Sequence, residues 1–114
     1  MRGGILLLAV LIVAGSELAA AAGSGNPTND ALLALPPDQQ AQTLAKGVKK
    51  CVGESAFPMG VTSTGKAKGM AYWSVRCKDG RTFAVQIAPD AKGTAVAADC
   101  KALEGSGREC FKKF

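Results

Sequence analysis

The sequence predicts an α+β fold in which one amphipathic helix packs on a three- to four-stranded antiparallel sheet stapled by disulfides. Two periodic patterns support this prediction. Apolar residues recur at helical spacing from Pro37 to Val52, and they alternate with polar residues from Met70 to Ala88. The third observation is an even number of cysteines, four, in a short chain. A domain of this size buries limited surface, so cross-links help it most.

Residues 1–22 have the three parts of a secretory signal peptide. A positive charge at Arg2 precedes an unbroken apolar run from Ile5 to Ala14, and a small-residue stretch ends the segment. An apolar run of about ten residues spans only ~15 Å as a helix, whereas a bilayer core needs about twenty. We therefore expect cleavage after Ala21 or Ala22, no transmembrane anchor, and a periplasmic or secreted product.

Residues 23–36 are predicted to be a flexible lead, because they begin with glycine, serine, asparagine and proline. Their apolar patch at 31–35 forms at most one docked turn, since Pro36 and Pro37 end any helix before them. Residues 37–114 then form a single disulfide-stabilised domain.

The chain carries a formal net charge of +5, and its basic residues are scattered. This scatter is typical of a solvated surface with a mild attraction to anionic surfaces. Around an exported protein these surfaces are wall polymers or lipid headgroups, so we expect no nucleic-acid partner.

The main helix is predicted at 37–52. Pro37 suits the first helical position, and Asp38 complements the helix dipole in the first turn. The apolar stripe at helical period consists of Ala41, Leu44, Ala45, Val48, Cys51 and Val52. Gly53 follows as a stop signal.

Three to four strands are expected after this helix. Residues 55–62 form at most an edge strand, because Pro58 cannot donate to a ladder. Residues 70–77 and 81–88 form a hairpin, residues 94–99 a further strand, and residues 100–103 a short helical turn. The C-terminal tail is expected to lay Phe111 against the core.

The hairpin loop can be assigned from side-chain parity. A three-residue loop with Gly80 in the left-handed position places the bulky apolar residues on one face, whereas a two-residue loop divides them. The predicted apolar face consists of Ala71, Trp73, Val75, Phe83, Val85 and Ile87. Trp73 is therefore expected to be buried under the helix.

The cysteines predict two disulfides rather than a zinc site, because they are widely spaced and the chain has no histidine. Parity places Cys77 on the face that the helix covers, within the ~5.5 Å of Cys51 that a bridge needs. In a meander, Cys77 and Cys100 lie about 9.6 Å apart, which leaves Cys100 to pair with Cys110. A different strand order would permit Cys51–Cys100 with Cys77–Cys110, so the sequence leaves both patterns open.

Catalytic chemistry finds little support in the sequence. Histidine is missing, no carboxylate pair has a catalytic spacing, and no nucleophile elbow is present. We expect a protein that is not an enzyme, with no catalytic residue, no metal and no cofactor.

The sheet face opposite the apolar one carries Tyr72, Ser74 and Arg76. An exposed aromatic residue beside an arginine is a common binding composition. These residues are a candidate partner surface if no second layer covers them, and otherwise an ordinary polar outer face.

The motif W-x-V-x-C-x-D-G from Trp73 to Gly80, with Cys110-Phe111 near the terminus, resembles small exported proteobacterial proteins of uncharacterised function. That resemblance covers residues 37–114. More loosely, residues 40–96 resemble a PepSY-type unit, from whose pattern the cysteines depart. The second resemblance implies a role in restraining secreted proteases, and neither supplies a catalytic residue.

The leading hypothesis is a non-enzymatic interaction module that binds a protein partner in the periplasm or outside the cell. The alternative is a structural envelope protein that associates with anionic wall polymers or lipid headgroups. A small hydrolase or redox protein is the weaker alternative.

Overall fold

The computed structural model describes residues 23–114, which form two helices and one four-stranded antiparallel sheet. The elements are α1 (Pro27–Leu33), α2 (Pro37–Ala45), β1 (Gly53–Val61), β2 (Ala71–Cys77), β3 (Thr82–Ile87), β4 (Ala95–Asp99) and a 3₁₀ helix (Cys100–Leu103). The strand order β1-β2-β3-β4 is a meander. The predicted signal peptide lies outside the described residues. Within 23–114, no helix has the length and apolarity needed to cross a membrane.

Helix α1 lies in the segment for which the sequence predicts a flexible lead. Its cap residue Asn26 accepts a hydrogen bond from the Asn29 backbone N–H at 3.1 Å. The Asn26 amide nitrogen also donates to the carbonyl oxygens of Gly69 and Ile87, both at 2.9 Å. The structure thus has two helices where the sequence predicted one, because polar side chains dock this segment on the sheet.

Helix α2 begins at Pro37 as predicted but ends at Ala45 rather than at residue 52. Gly47, a poor helix former, follows, and Lys50 adopts a left-handed backbone with φ of 55°. The apolar stripe therefore holds only for Ala41, Leu44 and Ala45, which are buried, whereas Val52 is 60% exposed. The chain reverses between Gly47 and Lys50, and β1 can therefore start directly beside α2.

The hairpin between β2 and β3 has the predicted three-residue loop. The Cys77 N–H donates to the Arg81 carbonyl at 2.8 Å, and the Gly80 N–H donates back to the Cys77 carbonyl at 2.9 Å. Gly80 has φ of 95°, as a bulge at this position requires. The register pairs Trp73 with Val85, so all the bulky apolar residues share one face, as predicted.

The core lies between that face and the two helices. Leu32 of α1 and Leu44 of α2 pack against buried residues of β2 and β3. Trp73 is fully buried there, which confirms its predicted position. Strand β1 is an edge strand as Pro58 predicted, and its register shifts twice.

Both disulfides of the meander pattern are present. Cys51 is bonded to Cys77 with 5.3 Å between Cα atoms, and Cys100 to Cys110 with 5.8 Å. The alternative pattern that the sequence left open is therefore excluded.

Candidate functional site

The C-terminal tail, residues 108–114, crosses the outer face of the sheet, opposite the core. The Phe111 N–H donates to the Ser74 hydroxyl at 2.9 Å, and the Phe114 N–H donates to the Met59 carbonyl at 3.1 Å. Phe111 thus lies on the outer face and not against the core, which corrects the sequence-based expectation. The reason is that Cys110 is tethered to Cys100, just after β4, and the tail leaves that point across the outer face.

The loop before the tail is held by Glu109. Its carboxylate accepts hydrogen bonds from the backbone N–H groups of Gly105 at 3.2 Å and Gly107 at 3.4 Å. Backbone hydrogen bonds hold the pKa of Glu109 below its ordinary value of 4.5. Phe111 has φ of 61°, a conformation that non-glycine residues seldom adopt. The tail therefore has a defined path that local contacts maintain.

Four aromatic rings meet on this outer face. Together with the cations over them they form what we call the outer aromatic surface, which consists of Phe57, Tyr72, Phe111, Phe114, Arg76, Arg108 and Lys113. Tyr72 and Phe114 form an edge-to-face pair with ring centroids 5.3 Å apart. Phe57 and Phe111 form a tilted pair at 6.3 Å. Both distances lie within the 4.5–7 Å range in which aromatic pairs attract. Each pair joins one ring from the sheet to one ring from the tail.

Three cations lie over these rings. The Arg108 guanidinium carbon is 4.8 Å from the Phe114 centroid and 5.5 Å from that of Tyr72. Arg76 lies 5.1 Å from the Phe111 ring, and the Lys113 ammonium 5.7 Å from Phe57. These distances are typical of cation–π contacts. The surface is thus both aromatic and positively charged.

These cations have no carboxylate partner in the described part of the chain, where the ion pair present joins Arg81 to Asp79. Arg76, Arg108 and Lys113 are exposed. Their charged groups, which lie over the rings, are therefore also accessible to an anionic ligand.

The structure separates the three residues of the predicted partner surface. Tyr72 is half-buried and Arg76 is exposed, so both can contact a partner. Ser74 is fully buried beneath the tail, because its hydroxyl accepts the Phe111 N–H. The tail therefore covers the outer face at Ser74 and leaves Tyr72 and Arg76 accessible at its sides.

Sequence reasoning missed Phe57, Arg108 and Phe114. Phe57 lies beside Ser74 on the outer face, but the register shifts of β1 make its parity unreadable from the sequence. Arg108 and Phe114 belong to a short tail, which has no periodicity from which their position could be predicted. Beside them an open groove of ≈ 420 Å³ lies between the loop at 62–67 and the tail.

All four cysteines are in disulfides, and the region from residue 23 to residue 114 contains no group of three or more metal-ligating side chains. Comparison with protein-family models, curated proteins and solved structures finds no match for this chain.

Proposed function

We propose that this protein is a non-enzymatic interaction module, exported to the periplasm or beyond, that binds a protein partner through the outer aromatic surface. The observation that supports this proposal is the group of three exposed cations on four rings, with no carboxylate partner among the described residues. Solvent-exposed aromatic–arginine groups are the composition that recurs at binding hot spots.

The chemistry of the surface favours an acidic segment of a protein. Arg76 and Arg108 each present a planar fork that matches a carboxylate with two hydrogen bonds. The 53% exposed Phe114 and the neighbouring Tyr72 offer apolar area for a side chain beside that carboxylate. The net charge of +5 would steer an acidic partner toward the domain.

Export is supported by the leader anatomy of residues 1–22 and by the two disulfides. Disulfides persist in oxidising compartments and are rare where thiol reductants are abundant.

The test is capture of a partner by the purified, disulfide-intact protein from an envelope extract, repeated with matched variants. Arg108→Ala and Tyr72→Ala should each weaken capture of the same protein at least tenfold. Lys92→Ala removes one charge from the β3–β4 turn, so it should leave capture unchanged. Equal capture by all variants, or no capture at all, would refute the proposal.

A second candidate is a structural envelope protein held to anionic wall polymers or lipid headgroups, and the same unpaired cations favour it. Charge-driven adhesion falls as salt rises, because the Debye length shortens to about 3 Å at 1 M salt. Co-sedimentation with anionic vesicles or wall fragments at low and high salt separates the two. Complete release at 1 M salt, with no protein captured from the extract, would favour this candidate.

A further inference from the structure

Strand β4 ends the sheet with an edge that lacks proline, a bulge and lysine, three of the usual protections against strand addition. Its sequence, Ala-Val-Ala-Ala-Asp, has no proline, glycine or lysine, its pairing with β3 is regular, and all five residues are exposed. It is last in the strand order, so among residues 23–114 no strand lies beside its second edge. Such edges are templates for pairing with another chain.

The opposite edge of the sheet shows the contrast. Strand β1 contains Pro58 and two register shifts, and the Phe114 N–H bonds to its Met59 carbonyl. Each of these devices blocks strand addition. The β1 edge of the sheet is therefore blocked against strand addition, whereas the β4 edge can accept a strand.

Parity identifies the backbone groups that face the free edge. The Ala88 N–H donates to the Thr94 carbonyl at 2.8 Å, so this pair exchanges hydrogen bonds between β3 and β4. Because bonded and non-bonded pairs alternate in an antiparallel ladder, Val96 and Ala98 also direct their backbone groups toward β3. The N–H and C=O groups of Ala95 and Ala97 and the N–H of Asp99 consequently point away from the sheet, whereas the Asp99 carbonyl accepts the first hydrogen bond of the 3₁₀ helix that Asp99 caps.

We propose that β4 pairs antiparallel with β4 of a second copy, across a two-fold axis at Ala97. In this register Ala97 bonds to the partner's Ala97, and Ala95 bonds to the partner's Asp99. The two-fold axis repeats each bond in both strands. The two sheets become one continuous eight-stranded sheet with the helices on the same side.

The side chains are compatible with that register. Val96, which is 62% exposed, comes opposite the partner's Ala98 on the outer face. Asp99 is the charged residue of β4 and comes opposite the partner's Ala95, so like charges are not brought face to face. Pairing of two five-residue strands buries less surface than the roughly 800 Å² per partner of a stable interface. We therefore expect a reversible, concentration-dependent dimer.

Sedimentation equilibrium on the disulfide-intact protein tests the proposal over a thousandfold range of concentration. The protein should pass from monomer to dimer, and amide exchange at Ala97 should slow as the concentration rises. Ala97→Pro removes an N–H that faces the edge and not β3, so it should abolish the dimer and keep the fold.

Two charge variants test the same pairing without introducing a proline. Ala97→Lys and Ala97→Glu each place like charges opposite each other at the axis, so each alone should weaken dimerisation at least tenfold. An equimolar mixture of the two should restore a heterodimer. Ala102→Lys, with the same charge change on the exposed 3₁₀ helix, is the control and should dimerise normally. A monomer at every concentration, or a dimer indifferent to all Ala97 variants, would overturn the proposal.

Discussion

The indole Nε1 of Trp73 donates a hydrogen bond to the side-chain oxygen of Asn29 at 2.7 Å, and both side chains are buried. Trp73 is at the centre of β2, and Asn29 belongs to α1. The backbone N–H of Asn29 donates to the side-chain oxygen of Asn26, and the Asn26 side-chain amide donates to the sheet backbone. This polar network therefore joins the first helix to the middle of the sheet.

Asn29→Ala should destabilise the protein by about 1–3 kcal/mol, because it leaves the buried indole N–H of Trp73 without an acceptor. The measurement is urea unfolding followed by tryptophan fluorescence. Gln39→Ala, on the exposed side of α2, is the control and should stay within about 0.5 kcal/mol of the unmodified protein. Equal stability of the two variants would show that α1 is not docked on Trp73.

Trp73→Ala should cost about 3–5 kcal/mol, because it removes the largest fully buried side chain and leaves a cavity. Unfolding must then be followed by far-UV circular dichroism, since the fluorophore is gone. Trp73→Phe keeps most of the ring but loses the N–H, and it should cost less than the alanine variant. Near-normal stability of Trp73→Ala would contradict the packing described.

Gly53→Ala should be destabilising by about 1–3 kcal/mol through overpacking, because a β-carbon at this position would collide with the backbone of Ala41 in α2. Gly53 does not have a positive φ, so the effect is steric. Gly65→Ala provides the comparison: it has open space around it but φ of 76°. That variant should cost about 1–2 kcal/mol from backbone conformation alone. Thermal unfolding of both variants measures the difference, and a stable Gly53→Ala protein would contradict the close approach of α2 to β1.

Replacing both Cys100 and Cys110 with serine should lower stability by about 2–3 kcal/mol, as expected for a cross-link closing a short loop. The tail should also loosen, so the Phe111 amide, which is bonded to Ser74, should exchange faster. Replacing Cys51 and Cys77 removes the cross-link that closes a longer loop, so it should cost about 3–4 kcal/mol while leaving Phe111 protected. Unchanged exchange at Phe111 in the first variant would show that the tail docks without its tether.

Acidification should release the loop before the tail. The pKa of Glu109 is lowered in the folded protein, so its contribution to stability is present above the ordinary value of 4.5 and is lost as pH falls through the folded pKa. The amide signals of Gly105 and Gly107 should therefore titrate below pH 4.5 in NMR spectra. In Glu109→Gln this titration should disappear. A midpoint at or above 4.5 would mean that the carboxylate does not bind these amides.

Periodicity and parity were sufficient for the sheet. Trp73 and Phe83 share a face because side chains alternate along a strand, and Gly80 supplies the backbone conformation that the three-residue loop needs. The same local rules placed Cys77 on the face that the helix covers, but two disulfide patterns stayed open until the strand order β1-β2-β3-β4 was known.

Local rules could not place the segments whose position depends on distant partners. Helix α1 is held by Asn26, whose amide bonds to Gly69 and Ile87, far along the chain. The outer aromatic surface likewise arises where a tail without periodicity meets the sheet, at Ser74 and Met59. The sequence by itself determined the β2–β3 hairpin, its register and the presence of two cross-links, because these depend on alternation, on neighbouring residues and on an even number of cysteines. Only the tertiary structure decided where the first helix and the tail lie, because their contacts join residues that are remote in sequence.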